Sequence, residues 1–551
     1  MEMNQNSRFS AVTSLDFSRS KFDRDFTYTT TGSAGAIIPT YLEEVLPGDT
    51  FSVKSAKVIR MQTPITPIYD NIYCDTYYFF VPMRLVWEHT AEFFGENKTG
   101  AWIPTTTYQI PQCTAPSGGW QKGTIADYLG IPTNIDNISV NALPFRAYSL
   151  VCDQWFRSEV LTNPLYIPLG DATQTGSNGS NYLTDCANGG MPMTAAKYHD
   201  YFTSCLPAPQ RSGDVTIGLT GNIPVVPMSD RIDWNTMPKD SNGKSYLMHF
   251  TDSATGTQSP IRTGAAISSN GLIAKDLSSG ANAIDITPDN LWANLTQITG
   301  VSINALRIAF QTQKYYEKLA RSGGRLTSML KAMYGVTSPD ARIQRTEYLG
   351  GSRTPVNIMQ VLNSAETTSS PLGNTGAYSL TNDTNDDFHK SFTEFGYVIG
   401  LTVFRYNHSY QNGLDRLWSR KDPLDFYNPT FANIGETPVL VKEIYCTGTS
   451  ADDDVFGFQE AWADYRYHKN MITSEMRSNY AQSLDTWHLG DDYTSQPYLS
   501  DSWIREDANN VDRVLSVAHT VSDQFFMNIL YKNECTRVMP LYSIPGLIDH
   551  N

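Results

Sequence analysis

The chain has 551 residues, of which 18% are charged, with a formal net charge of −15 and an aromatic complement of 31 Tyr, 24 Phe and 10 Trp. This balance excludes a whole-surface footprint for nucleic acid or anionic membrane, which needs a net basic face. No stretch approaches the roughly 18 consecutive apolar residues of a membrane span, so no membrane insertion is expected.

In chain order, residues 1–45 read as an N-terminal arm. Arg8, Arg19, Lys21 and Arg24 are balanced there by Glu2, Asp16, Asp23 and Asp25. Met1 to Arg8 lacks a charged segment followed by an apolar run, so no secretory signal is expected. A β-rich core is expected over 46–168 and 291–551. Residues 169–290 interrupt it: no glutamate occurs between Glu159 and Glu317, and Ser, Thr, Gly, Asn and Asp dominate. That tract reads as a surface insertion, with Tyr198, Phe202, Trp234 and Tyr246 as aromatic anchors of a small packed protrusion, since disordered tracts are poor in aromatics. A helix is predicted after Ser302, with Ile303, Leu306, Ala309, Phe310 and Leu319 approximating one face and Ser322-Gly323-Gly324 stopping it. Its basic residues, Arg307, Lys314, Lys318 and Arg321, fit either a solvated face or nucleic-acid contact.

Strands are predicted over 395–404, 439–445 and 524–531, several apolar on both faces and therefore sandwiched. Their long, irregular spacing argues for a two-sheet β-sandwich with large inter-strand loops and a few short helices. Seven scattered cysteines fit neither a disulfide framework nor a zinc site and point to a reducing compartment.

The chain carries no P-loop, H-E-x-x-H, G-x-S-x-G or paired C-x-x-C motif. No catalytic, cofactor-binding or metal-binding residue is assigned. Asp452-Asp453-Asp454 lacks the spaced ladder of a calcium loop, and His468 and His488 lack a third ligand. Glu460, Asp464, Asp485, Asp491 and Asp492 lie near Trp462, Tyr465, Tyr467 and Trp487, an acidic and aromatic mixture found in sugar clefts. A carbohydrate-active β-sandwich therefore stands as one alternative and a surface adhesin as another. Two proline-rich aromatic loops are candidate inter-subunit contacts, represented by Pro64, Pro67 and Tyr69 and by Phe426 and Tyr427. Arg416, Arg420 and Lys421 flank Trp418, a pattern that suits an unpaired base stacked between cations, so these four are the candidate DNA-facing residues.

Several segments together resemble the major capsid protein of the Microviridae. They include Leu46-Pro47-Gly48-Asp49-Thr50-Phe51, Phe79-Phe80-Val81-Pro82-Met83-Arg84-Leu85-Val86-Trp87-Glu88, Glu347-Tyr348-Leu349-Gly350-Gly351, Leu417-Trp418-Ser419-Arg420, Val455-Phe456-Gly457-Phe458-Gln459-Glu460 and the terminus from Pro540 to His550. The match runs in order along nearly the whole chain except 169–290, and that insertion is similar to the one of the gokushovirus group, where it forms a protrusion near the threefold axes. The resemblance implies an eight-stranded antiparallel jelly roll that forms pentamers and a T=1 icosahedral shell around circular single-stranded DNA. Implied partners are an internal scaffolding protein, a small basic DNA-binding protein, a DNA pilot protein and a host cell-surface receptor met by the insertion. The implied location is the virion, assembled in the bacterial host cytoplasm.

Overall fold

The computed structural model describes residues 18–98, 106–217, 302–368 and 371–542, together with short strand segments between 225 and 293. Two antiparallel sheets organise it. The first contains β1 (Ser20–Asp23), β2 (Phe26–Gly32), β4 (Thr50–Met61), β7 (Thr381–Ser391) and β9 (Phe525–Arg537). The second contains β3 (Ile38–Val45), β5 (Ile72–Pro82), β6 (Glu347–Pro355) and β8 (Gly396–Tyr406). In the first sheet β1 and β2 both pair with β9, which lies beside β4, which lies beside β7; in the second the order is β6-β5-β8-β3. From β2 to β5 successive strands alternate between the sheets, as they do again from β6 to β9, and this is jelly-roll connectivity. The described sandwich has five strands in one sheet and four in the other, and the first two of the five, β1 and β2, run end to end along β9.

Alternation along β4 and β9 sets the inner face of the first sheet. Phe51, Val53, Ile59, Met61, Phe525, Met527, Ile529 and Tyr531 are buried, whereas Lys54, Arg60, Asn528 and Lys532 are exposed. Across the sandwich the Phe404 and Phe525 rings stack with centroids 4.0 Å apart, and Tyr41 meets Tyr531 at 5.1 Å. Lys57 also points inward; its Nζ donates to Thr76 Oγ1 (2.7 Å) and Ser352 Oγ (2.9 Å) on the facing sheet. Burying an ammonium requires such acceptors.

The second sheet is covered on both sides. Val398, Phe404 and Tyr406 of β8 face the inter-sheet core, while Tyr397, Ile399, Leu401 and Val403 face a second core containing Trp87, Trp120 and α1 (Leu143–Val151). That double burial is why β8 reads as a continuous apolar run. Gly400 is the close-packed point: a Cβ there would lie 2.7 Å from Tyr41 Cβ and 2.8 Å from Tyr78 Cε1. Gly400→Ala is expected to lower stability by about 1–3 kcal/mol through overpacking, read as a lowered Tm with unchanged near-neutral folding yield.

Three expectations are revised. The arm expected over 1–45 is, from Ser20, the edge of the sandwich, because β1 and β2 find hydrogen-bonding partners along β9. The insertion expected at 169–290 divides: Gly213–Tyr315 forms a separate compact unit, whereas Cys186, Met193 and Ala195 are buried in the second core and Phe202 and Cys205 in a third. Apolar residues in a polar tract thus seal the main body. Finally, 439–445 is a strand only over Glu436–Leu440, then turns into a short helix, Val441–Ile444.

Taken by itself, the Gly213–Tyr315 unit holds short antiparallel pairs, among them Val225–Pro227 with Leu291–Ala293 and His249–Thr251 with Gln258–Pro260. The helix predicted after Ser302 is α2 (Ile303–Arg321), followed by α3 (Leu326–Tyr334). Ile303, Leu306 and Phe310 are exposed. All seven cysteines are free and six are buried. Among the described residues no helix is long and apolar enough to cross a membrane.

Candidate assembly interface

Residues 407–524 connect β8 to β9 and carry their own core, in which Phe202 packs against Tyr410 (4.7 Å) and Phe456 (6.1 Å) alongside Val439, Val441 and Ile444. Above it, residues 415–431 form three short 3-10 turns, Arg416–Ser419, Pro423–Asp425 and Pro429–Phe431. Each is preceded by an Asp or Asn, namely Asp415, Asp422 and Asn428: Asp415 accepts from Leu417 N (3.0 Å), Asn428 accepts from Thr430 N (2.9 Å), and Asp422 N donates back to the Asp425 carboxylate (2.9 Å). Proline and side-chain caps fix the backbone of this loop.

The loop spends its cations internally. Arg416 Nη2 pairs with Glu443 Oε1 at 2.9 Å. Arg420 pairs with Asp464, donates to Asp425 O (3.1 Å) and lies over the rings of Tyr465 (4.4 Å) and Phe426 (5.5 Å). What remains outward is apolar: Trp418 is 74% exposed and Leu424 69%, with Leu417, Phe426, Tyr427 and Ile434 each about half exposed. An exposed apolar patch with its neighbouring charges paired makes this loop a candidate protein contact surface.

Of the candidate DNA-facing set, Arg416 and Arg420 are ion-paired within the chain with Glu443 and Asp464, Trp418 is part of the apolar patch, and Lys421 is exposed. Of the first candidate loop, Pro64 and Pro67 are buried, Pro64 in a bridge with Leu515, whereas Tyr69 is exposed and stacks on Trp487 at 5.5 Å. Phe426 and Tyr427 of the second loop are exposed. Of the four aromatics expected to anchor a protrusion, Tyr198 and Phe202 belong to the main body: Tyr198 Oη donates to Asp75 Oδ2 (2.7 Å) on β5. Trp234 and Tyr246 lie outside the described residues.

Asp452, considered for calcium, accepts from Thr447 N (2.8 Å) and Gly448 N (2.7 Å) and closes its own loop. His488 Nε2 donates to Met476 O (2.6 Å). Among the described residues no group of three or more His, Cys, Asp or Glu is arranged to hold a metal.

One cluster has no sequence signature. His408 is buried just after β8, with Nδ1 2.9 Å from Asp491 Oδ1 and Nε2 3.1 Å from Glu506 Oε2, and Lys197 Nζ lies 3.4 Å from Asp491 Oδ2. Its members come from segments separated by up to 309 residues, as Lys197 and Glu506 are, and only the folded chain assembles them. Two carboxylates oppose the imidazole, so both ring nitrogens donate and the ring is an imidazolium. Burial alone would depress its pKa; Asp491 and Glu506 outweigh burial and raise it to about 9.

The family described as Capsid protein (F protein) matches this chain over residues 10–547. The chain is 40% identical to capsid protein VP1 of Spiroplasma virus 4 over 524 residues, 94% of this chain and 93% of the relative. It is 36% identical to capsid protein VP1 of Chlamydia phage 1, covering 98% of this chain and 97% of the relative. To capsid protein VP1 of Bdellovibrio phage phiMH2K it is 35% identical, covering 98% of each. These relationships and the two-sheet sandwich agree, and the chain belongs to the capsid F protein family of the Microviridae, within the gokushovirus group.

Proposed function

We propose that this major capsid protein assembles through pentamers into a T=1 icosahedral shell that encloses a circular single-stranded DNA genome. The role is structural and not enzymatic, and the protein's place is the virion. The observation that carries the assembly reading is the fixed apolar loop around Trp418, Leu424 and Phe426, whose neighbouring arginines are already neutralised. Copies of one chain related by closed rotational symmetry give a finite shell instead of a fibre.

The charge balance supports separate partners for the genome. Lys21 pairs with Glu534 (2.9 Å) and Arg24 with Glu43, so two of the three described cations at the start of the chain are already neutralised. Condensing single-stranded DNA inside a shell of subunits each carrying −15 needs cations from elsewhere. A small basic DNA-binding protein supplies them in this reading. An internal scaffolding protein guides assembly in the host cytoplasm, and a DNA pilot protein accompanies the genome. The surface insertion, for which Gly213–Tyr315 is the compact unit, contributes to attachment at a host receptor.

The test is to extract nucleic acid from nuclease-treated particles. The reading expects circular molecules digested by single-strand-specific nuclease. Double-stranded DNA, RNA or empty particles as the mature product would reject it.

A further inference from the structure

Between β6 and β7 the chain forms a two-stranded antiparallel hairpin, Ile358–Leu362 paired with Thr375–Ser379. Its base is fixed: Thr381 Oγ1 accepts from Asn357 N (2.8 Å), Ser379 Oγ donates to Asn357 O (3.0 Å), and Val356 is buried in the inter-sheet core. Alternation then assigns the two faces. Ile358, Ala377 and Ser379 share the face toward the main body, where Ile358 packs against the inter-sheet core and Ala377 and Ser379 are buried. Met359, Val361 and Tyr378 share the opposite face and are exposed. A hairpin covered on one side ordinarily turns polar residues to solvent. This one turns two aliphatic side chains and a tyrosine outward, and Leu362 at its end is exposed as well.

The strand Thr375–Ser379 approaches β4, whereas Ile358–Leu362 has a strand neighbour on one side only among the described residues. Natural sheets protect such an edge with a charge, a proline or a bulge. Ile358-Met359-Gln360-Val361-Leu362 contains no charge and no proline, and its register with Thr375–Ser379 is unbroken. Glu366 is the only charged residue between Val356 and Leu380. Without cations the segment offers nothing to phosphate. Copies that each carry −15 repel one another over most of their surface, so an uncharged strand is where two of them can approach.

We propose that Ile358–Leu362 is an inter-subunit edge that pairs antiparallel with the same strand of a second copy across a twofold axis. The inference rests on the closed-shell reading, in which twofold contacts join the same surface of two copies. A register centred on Gln360 is self-complementary: Met359 faces the second copy's Val361, Ile358 faces its Leu362, and Gln360 faces its Gln360. Every pair except the central amides is apolar, and such directly facing pairs stabilise antiparallel strands. The two hairpins become one four-stranded sheet, which a lone two-stranded hairpin needs for stability in water. Their outward Met359, Val361 and Tyr378 merge into one apolar cluster.

The test places a thiol at the centre of that register. Gln360 is exposed, so Gln360→Cys should leave the Tm of the subunit unchanged, and Cys446→Ser in the same chain removes its exposed native thiol. Directly facing residues of an antiparallel pair have Cα atoms ~4.5–5.5 Å apart, within disulfide reach. Particles purified from cells producing the complete phage and oxidised with copper phenanthroline should give mostly covalent dimers on non-reducing gels. Ser364→Cys in the same background, which this register holds far from its copy, should stay monomeric. Gln360→Lys, which sets like charges face to face, should lower particle yield at least tenfold, whereas Gln360→Asn should retain it. Particles of normal mass in which Gln360→Cys stays monomeric, equal cross-linking through Ser364→Cys, or full particle yield from Gln360→Lys would overturn the inference and leave the closed shell standing. A wild-type chain that forms no closed particles would overturn the assembly reading and the twofold edge with it.

Discussion

Replacing His408 with alanine is expected to destabilise the subunit by about 3–5 kcal/mol, because it leaves two buried carboxylates, Asp491 and Glu506, without their shared cation. The cluster fastens three parts of the chain together. His408 follows β8, Lys197 lies in the connection between β5 and β6, and Asp491 and Glu506 lie in the connection between β8 and β9. Backbone bonds run beside it, from Lys197 N to Ile504 O (2.8 Å) and from Glu506 N to Ala195 O (2.9 Å). Tyr493 Oη and Asn510 Nδ2 also donate to Asp491, at 2.9 and 3.3 Å. Thermal and urea unfolding of the unassembled subunit measure the loss. A change below about 0.5 kcal/mol, the range of ordinary surface substitutions, would contradict it.

The same cluster sets a pH dependence with a definite sign. A histidine whose folded pKa lies above its unfolded value contributes stability in full below about 6.5, and that contribution disappears as pH rises through about 9. Asp491 acts oppositely: despite burial, His408 and Lys197 hold its carboxyl far below the usual range, so its contribution is lost only in strong acid. Wild-type Tm should therefore fall between neutral pH and pH values above about 9, and His408→Ala should flatten that limb. Parallel alkaline limbs in the two proteins would show that another group is responsible.

The second large effect is expected at the apolar loop. Trp418→Asp combined with Phe426→Asp should reduce particle yield more than about 100-fold, since central interface aromatics are each worth about 2–4 kcal/mol and a shell repeats every contact. Trp418 is largely exposed and Phe426 about half exposed in the single subunit, so its own unfolding should shift by no more than about 1 kcal/mol. Size-exclusion chromatography with light scattering reads the first quantity and thermal unfolding the second. Normal shells from the double variant would place subunit contacts elsewhere.

The sandwich was legible because its strands obey simple periodicities. Residues 524–531 alternate as β9 does, and 395–404 are apolar throughout because β8 is buried on both faces. The edge formed by β1 and β2 was missed although Thr27 to Thr31 are all threonine or tyrosine, strand-favouring residues, because the run shows no apolar alternation to set it apart from an arm; pairing with β9 makes it strand. Insertion boundaries were misplaced because composition averages over a tract, whereas packing depends on a few residues such as Met193, Ala195 and Phe202. The aromatic loop is exposed as a candidate contact surface should be, and the cations beside Trp418 are paired with carboxylates. Glu443 and Asp464, the carboxylates that neutralise them, are distant in sequence and were invisible there. The His408 cluster was beyond sequence reading for the same reason.

The central claim is that this subunit works by building a closed shell through its fixed apolar surfaces. A symmetry-free cryo-EM reconstruction of nuclease-treated material from cells producing the complete phage tests it most directly. Closed icosahedral particles with protected DNA inside and residues 417–427 buried between copies are expected. Small soluble oligomers without protected nucleic acid, or shells in which that loop faces open solvent, would contradict it.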